Sequence, residues 1–64
     1  MNSYKAVHYD GFNVLHYFDT DYVDFFEVDT ANEAIEMANL LNAIEKEIQV
    51  QLLREQIYLL LEGI

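Results

Sequence analysis

The sequence predicts an α+β fold in one domain over residues 1–64: a three-stranded antiparallel sheet (β-β-β) over 3–28, then one long α-helix over 30–62. Three observations carry this expectation. Residues 4–9 and 12–18, rich in aromatic and β-branched side chains, flank the dipeptide Asp10-Gly11. A third run of the same kind follows Asp19-Thr20-Asp21. The stretch from Ala31 to Glu62 holds neither Gly nor Pro, and its apolar residues recur every three or four positions.

Asp-Gly supplies the two positive-φ residues of a type I′ turn, so the first two strands are expected to close as a hairpin with a two-residue loop. That register sets Tyr9 opposite Phe12, Val7 opposite Val14, Ala6 opposite Leu15, Lys5 opposite His16 and Tyr4 opposite Tyr17. A three-residue loop at Asp19-Thr20-Asp21 then sets Tyr22 opposite Phe18, Phe25 opposite Leu15, Phe26 opposite Val14 and Val28 opposite Phe12. One face collects Val7, Tyr9, Phe12, Val14, Phe18, Tyr22, Phe26 and Val28, the expected core under the helix. The reverse face carries Tyr4, Ala6, Leu15, Tyr17, Val23 and Phe25, which is more apolar than a solvated sheet face and calls for a cover.

Thr30 through Glu33 fits a capping box, Asp29, Glu33 and Glu36 suit the positive end of the helix dipole, and Gly63 is a stop signal. Ala34, Met37, Ala38, Leu41, Ile44, Ile48 and Leu52 form a stripe as expected for a helix packed along one face, its first half covering the sheet. Asn39 and Asn42, within one turn, mark where the helix is expected to bend or break if it does so. Such a helix runs about 48 Å at 1.5 Å per residue, against strands of about 20 to 24 Å. It outruns its own head. Ile48, Leu52, Leu53, Ile57, Leu60, Leu61 and Ile64, with Tyr4, Leu15 and Phe25 from the reverse sheet face, are therefore the expected interface of a homodimer or higher oligomer. The Met37, Leu41, Ile44, Ile48 heptads meet Gln51 next, while Leu53, Ile57, Leu60 and Ile64 continue out of phase, which favours an antiparallel or bundle-like pair over a strict coiled coil.

Composition limits the function classes. A 64-residue chain buries only about 60 per cent of its unfolded surface, and without cysteine it has no disulfide or thiolate metal site to compensate. The net charge of −9, with Lys5, Lys46 and Arg54 as the only Lys or Arg, disfavours direct binding to nucleic acid or anionic lipid. A basic protein is the expected partner. No apolar run follows a basic start and no 18-residue uncharged segment exists, so neither a signal peptide nor a membrane span is expected, and the expected location is the cytoplasm.

Candidate chemistry is sparse. Asp19, Asp21, Asp24 and Glu27, beside Tyr17 and Tyr22, are the candidate partner-binding residues: carboxylates at backbone spacing can imitate nucleic-acid phosphates in the basic channel of a nucleic-acid enzyme, with the rings as anchors. A solvated acidic rim is the competing reading. Asp19-Thr20-Asp21 lacks the central Gly and the distal Glu of a calcium loop. His8 and His16 are expected on opposite sheet faces, too far apart for one metal. His16 is expected beside Asp24 in a cross-strand polar pair with no nucleophile, so neither an enzyme nor a cofactor is expected.

Asp29-Thr30-Ala31-Asn32-Glu33-Ala34 and Ala38-Asn39-Leu40-Leu41-Asn42-Ala43-Ile44-Glu45-Lys46-Glu47 resemble the helices of a widespread type of short bacteriophage protein, over about residues 25–48. The resemblance implies a dimeric, non-enzymatic inhibitor of a host enzyme or of a bacterial antiviral system, of the anti-CRISPR kind. The ending Tyr58-Leu59-Leu60-Leu61 departs from the polar tail usual there. Self-association as a structural or assembly module is the alternative role.

Overall fold

The computed structural model describes residues 1–63. Strands β1 (Asn2–His8), β2 (Phe12–Phe18) and β3 (Asp21–Val28) form an antiparallel sheet in the order β1-β2-β3, and helix α1 (Ala31–Glu62) follows. The helix is continuous, without a break at Asn39 or Asn42. Thr30 caps it, its hydroxyl accepting from the Glu33 N–H at 3.1 Å, while the Glu33 carboxylate reaches back to the N–H of Asp29 rather than that of Thr30. At the other end Gly63 stays right-handed, φ −75°, and donates to Leu59 O at 3.0 Å.

The first hairpin differs from the expected register by one residue. His8 pairs with Phe12, Ala6 with Val14, Lys5 with Leu15 and Tyr4 with His16. Asp10 and Gly11 do take positive φ, 50° and 110°, but Tyr9 joins them in a three-residue connection. Its N–H bonds Gly11 O, and its carbonyl accepts from the Asn13 side chain at 3.0 Å. Because side chains alternate, that single residue exchanges the faces of β1. Tyr4 and Ala6 turn inward, and Val7 turns outward with Lys5. The second connection shortens instead: Phe18 pairs with Asp21, leaving Asp19-Thr20 as a two-residue turn with Asp19 at φ 55°. The expected pairs Phe12–Val28, Val14–Phe26 and Leu15–Phe25 hold, and a bulge after His16 brings Tyr17 opposite Tyr22.

The core is correspondingly small. Val14, Ala34 and Ala38 are buried, with Tyr4, Ala6, Phe12, Phe26 and Val28 packed round them. Of the expected core, Tyr9, Phe18 and Tyr22 are exposed, and Val7 faces the other side of the sheet. His8 and His16 share the inward face, stacked on Phe12 and Tyr4 respectively.

The helix holds the sheet with only the small members of its expected stripe, Ala34 and Ala38, and with Leu41. Buried are Ala34, Ala38 and Glu45, and half-buried are Leu41, Asn42, Gln49 and Val50, whereas Met37, Ile44, Ile48 and Leu52 are exposed. The edge strand explains this. α1 lies chiefly along β1, whose outer N–H and C=O groups have no neighbouring strand. The Asn42 carboxamide takes the place of one, accepting from Tyr4 N–H and donating to Tyr4 O, both at 2.8 Å. The Glu45 carboxylate accepts from the Asn2 N–H at 2.9 Å and from Gln49 at 3.2 Å. Small and polar residues at four- and three-residue spacing therefore face the head, and the large apolar ones are turned aside.

A polar relay continues from Glu45 across the sheet. Asn2 Oδ1 lies 2.7 Å from His16 Nε2, and His16 Nδ1 lies 3.0 Å from Asp24. The Asn2 backbone N–H, chief among Glu45's donors, holds the carboxyl below its ordinary pKa of 4.5, outweighing the opposing effect of burial. The unfolded chain then takes up this proton at a higher pH than the folded one. The Glu45 contribution is therefore full above the ordinary carboxylate value and is lost as pH falls through the depressed folded value. Glu45→Gln, which retains an acceptor for Asn2, should flatten the acid side of a urea-midpoint-versus-pH curve; an unchanged acid limb would remove Glu45 from the account.

Candidate functional site

Two kinds of surface were expected to carry function, and their residues fare differently. The acidic residues do not converge. Asp19 binds the N-terminal ammonium of Met1 at 2.8 Å, and its N–H donates to Met1 O, so it closes the chain end onto the β2–β3 turn. Asp24 is engaged by His16 on the inward face. Asp21 flanks the turn, and Glu27 pairs with Asn13 on the outward face. Two of the four carboxylates thus already have cationic or polar partners, and Asp21 and Glu27 are left exposed for others. Tyr17 and Tyr22 do meet, edge to face with centroids 5.9 Å apart, next to Asp21.

Ser3, the single serine, pairs with Tyr17 in the outward row, across the sheet from the inward-facing His16. Among the described residues no three His, Asp or Glu side chains cluster as metal ligands. No helix of the described residues is long and apolar enough to cross a membrane.

The reverse sheet face is apolar, as expected, but its membership changes. Tyr4 belongs to the inward face and drops out of the expected oligomer interface, as does Ala6 from the reverse face. Leu15 and Phe25 remain there, joined by Val7 and Tyr22 in a cleft of about 480 Å³ rimmed by Asp10 and Glu27. Asn13 lies 6% exposed at its base, and among the described residues nothing donates to its Oδ1.

The helix presents the largest uncovered surface. Met37, Leu40, Ile44, Ile48 and Leu52 form a continuous ridge at spacings of three and four, roughly a quarter-turn from the Ala34–Ala38–Glu45 packing line at about 100° per residue. Beyond it Leu53, Ile57, Tyr58, Leu59, Leu60 and Leu61 are all exposed, Leu53 at 61% and Leu60 at 71%. Ile64 lies outside the described residues. Met37 and Ile44, expected against the sheet, are instead exposed, and Leu40, in neither expected surface, joins Ile48 and Leu52 of the expected interface on the ridge. A signal did exist: the stripe Ala34, Ala38, Asn42, Glu45, Gln49 has the same period and carries the small and polar side chains that a strand edge needs.

The chain as a whole is correspondingly extended. The chain exposes 5300 Å², whereas a compact monomer of 7.5 kDa exposes about 4,200 Å². Its radius of gyration is 15.7 Å, against about 11 Å for a compact domain of this length. The excess of about 1,000 Å² slightly exceeds the roughly 800 Å² that each partner buries in a standard stable interface. Compared with protein-family models, curated proteins and solved structures, the chain matches none.

Proposed function

We propose that this protein works by binding polypeptides and not by catalysis, as an assembly element whose helix is the docking surface and whose small sheet is the head that holds that helix in place. One observation carries the reading: the most apolar line of α1 is turned away from the protein's own core, while small and polar residues do the intramolecular work. Contiguous apolar surface of this size on a small domain marks a protein contact. The test is functional rescue of whatever complex the chain forms in bacterial lysate. Ile44→Asp or Ile48→Asp, both on the ridge, should abolish that complex. Retention of the complex by both variants overturns the reading.

A second reading is favoured by the exposed Asp21 and Glu27 and the Tyr17–Tyr22 pair, together with the resemblance to short phage proteins. In it the oligomer blocks a host or antiviral-defence protein with a basic surface, such as a nucleic-acid enzyme, by steric and electrostatic occupation. Asp21→Asn with Glu27→Gln, which leaves the Asp19 and Asp24 pairs in place, should weaken capture of that partner about tenfold at low salt and less at high salt, where charges are already screened. Equal capture at both salts sets the inhibitor reading aside and leaves the assembly element.

A further inference from the structure

We infer that the occupant of the helix ridge is a second copy of this chain, lying antiparallel, with the two-fold axis beside Val50 and Gln51. This rests on the reading of α1 as a docking element and adds its partner and direction. Three observations converge on it.

The first is area. The surplus surface of one chain matches what each member of a stable pair buries, so two copies satisfy each other without a further protein.

The second is charge. Glu55 and Glu62 fall on the line of the ridge when its spacing is continued toward the C-terminus. A parallel, in-register pair sets each of them against its own copy in the seam, in a chain of net charge −9. Antiparallel pairing separates them. It also brings Arg54 level with the partner's Glu47 twice over, because both lie on one flank of the ridge and same-flank positions meet when helices run oppositely. Neither of the two ion pairs among the described residues uses Arg54.

The third is the asymmetry of the helix. Its proximal half carries the head, and its distal half is apolar on nearly every side. A helix that is apolar all round needs neighbours on more than one side. Parallel pairing gives each distal half only the other distal half. Antiparallel pairing lays it along the partner's ridge at Ile44 and Ile48, next to the partner's head.

The chain has no cysteine, so single substitutions give clean cross-linking sites. Ile44→Cys and Tyr58→Cys replace exposed residues that come within one residue of level under this pairing. Each variant is treated alone, and then the two are mixed, dissociated, reassociated and treated, with a short bismaleimide. The expected result is a covalent heterodimer in the mixture at least tenfold above the homodimer in either single sample. Abundant Tyr58→Cys homodimer overturns the direction, since in the antiparallel pair those two positions stand about 22 Å apart at 1.5 Å per residue. No cross-link in any sample, with each chain sedimenting singly, overturns the second copy as occupant. In that last case the docking reading itself still stands or falls separately, on whether Ile44→Asp and Ile48→Asp lose a different protein from lysate.

Discussion

Ile48→Asp should turn the assembled protein into single chains while leaving the sheet head intact. Ile48 is 44% exposed and takes no part in the core of Val14, Ala34 and Ala38, so the substitution removes nothing that holds the head to the helix. In the proposed pair, however, each copy loses about 2 kcal/mol of side-chain burial, and two copies lose it together, which is roughly a thousandfold in dissociation constant. A carboxylate in the seam adds repulsion between chains that are already strongly acidic. Near-UV circular dichroism from the Tyr and Phe residues of the sheet should persist at low temperature, while the thermal midpoint should fall and lose its dependence on protein concentration. Persistence of that dependence would place the interface elsewhere.

The second large effect concerns the head. Asn42→Leu, close in size and apolar, should destabilise the fold by about 3 kcal/mol, because both the N–H and the C=O of Tyr4 lose their partner on a half-buried strand edge. A 64-residue domain holds only about 3 to 10 kcal/mol in total, so a large part of the population should unfold. Asn42→Asp is the informative companion. It keeps the acceptor for Tyr4 N–H but sets a carboxylate against Tyr4 O, and should also destabilise despite a near-identical shape. Urea midpoints for the three proteins check this; a loss below about 0.5 kcal/mol in Asn42→Leu would show that the amide bridge is dispensable, surface substitutions of no consequence falling in that range.

Much of this architecture is legible from local chemistry. The runs either side of Asp10-Gly11, the apolar pairs Phe12–Val28 and Val14–Phe26, and the Thr30 cap each specify themselves within a few residues. The hairpin register does not, because both rows of β1 are apolar: Tyr4 and Ala6 on one, Val7 and Tyr9 on the other. Alternation cannot choose between them, and the decision falls to Tyr9, which the Asn13 side chain draws into the turn. Helix phase is obscured for a related reason. Hydrophobicity points to the Met37–Leu52 ridge, but the unpaired groups of Asn2 and Tyr4 demand polar side chains from the helix. That long-range requirement overrides the stronger apolar pattern. The candidate acidic site was legible as composition only, since the alternation of β3 sends Asp24 inward and Glu27 outward and the turn gives Asp19 to the N-terminus.

Sedimentation equilibrium of the purified chain beside Ile48→Asp, at equal concentration and moderate salt, tests the central claim most directly. The account predicts twice the 7.5 kDa chain mass for the native sequence and the single-chain mass for the variant. A single-chain mass for the native sequence, or the same doubled mass in both, would contradict it.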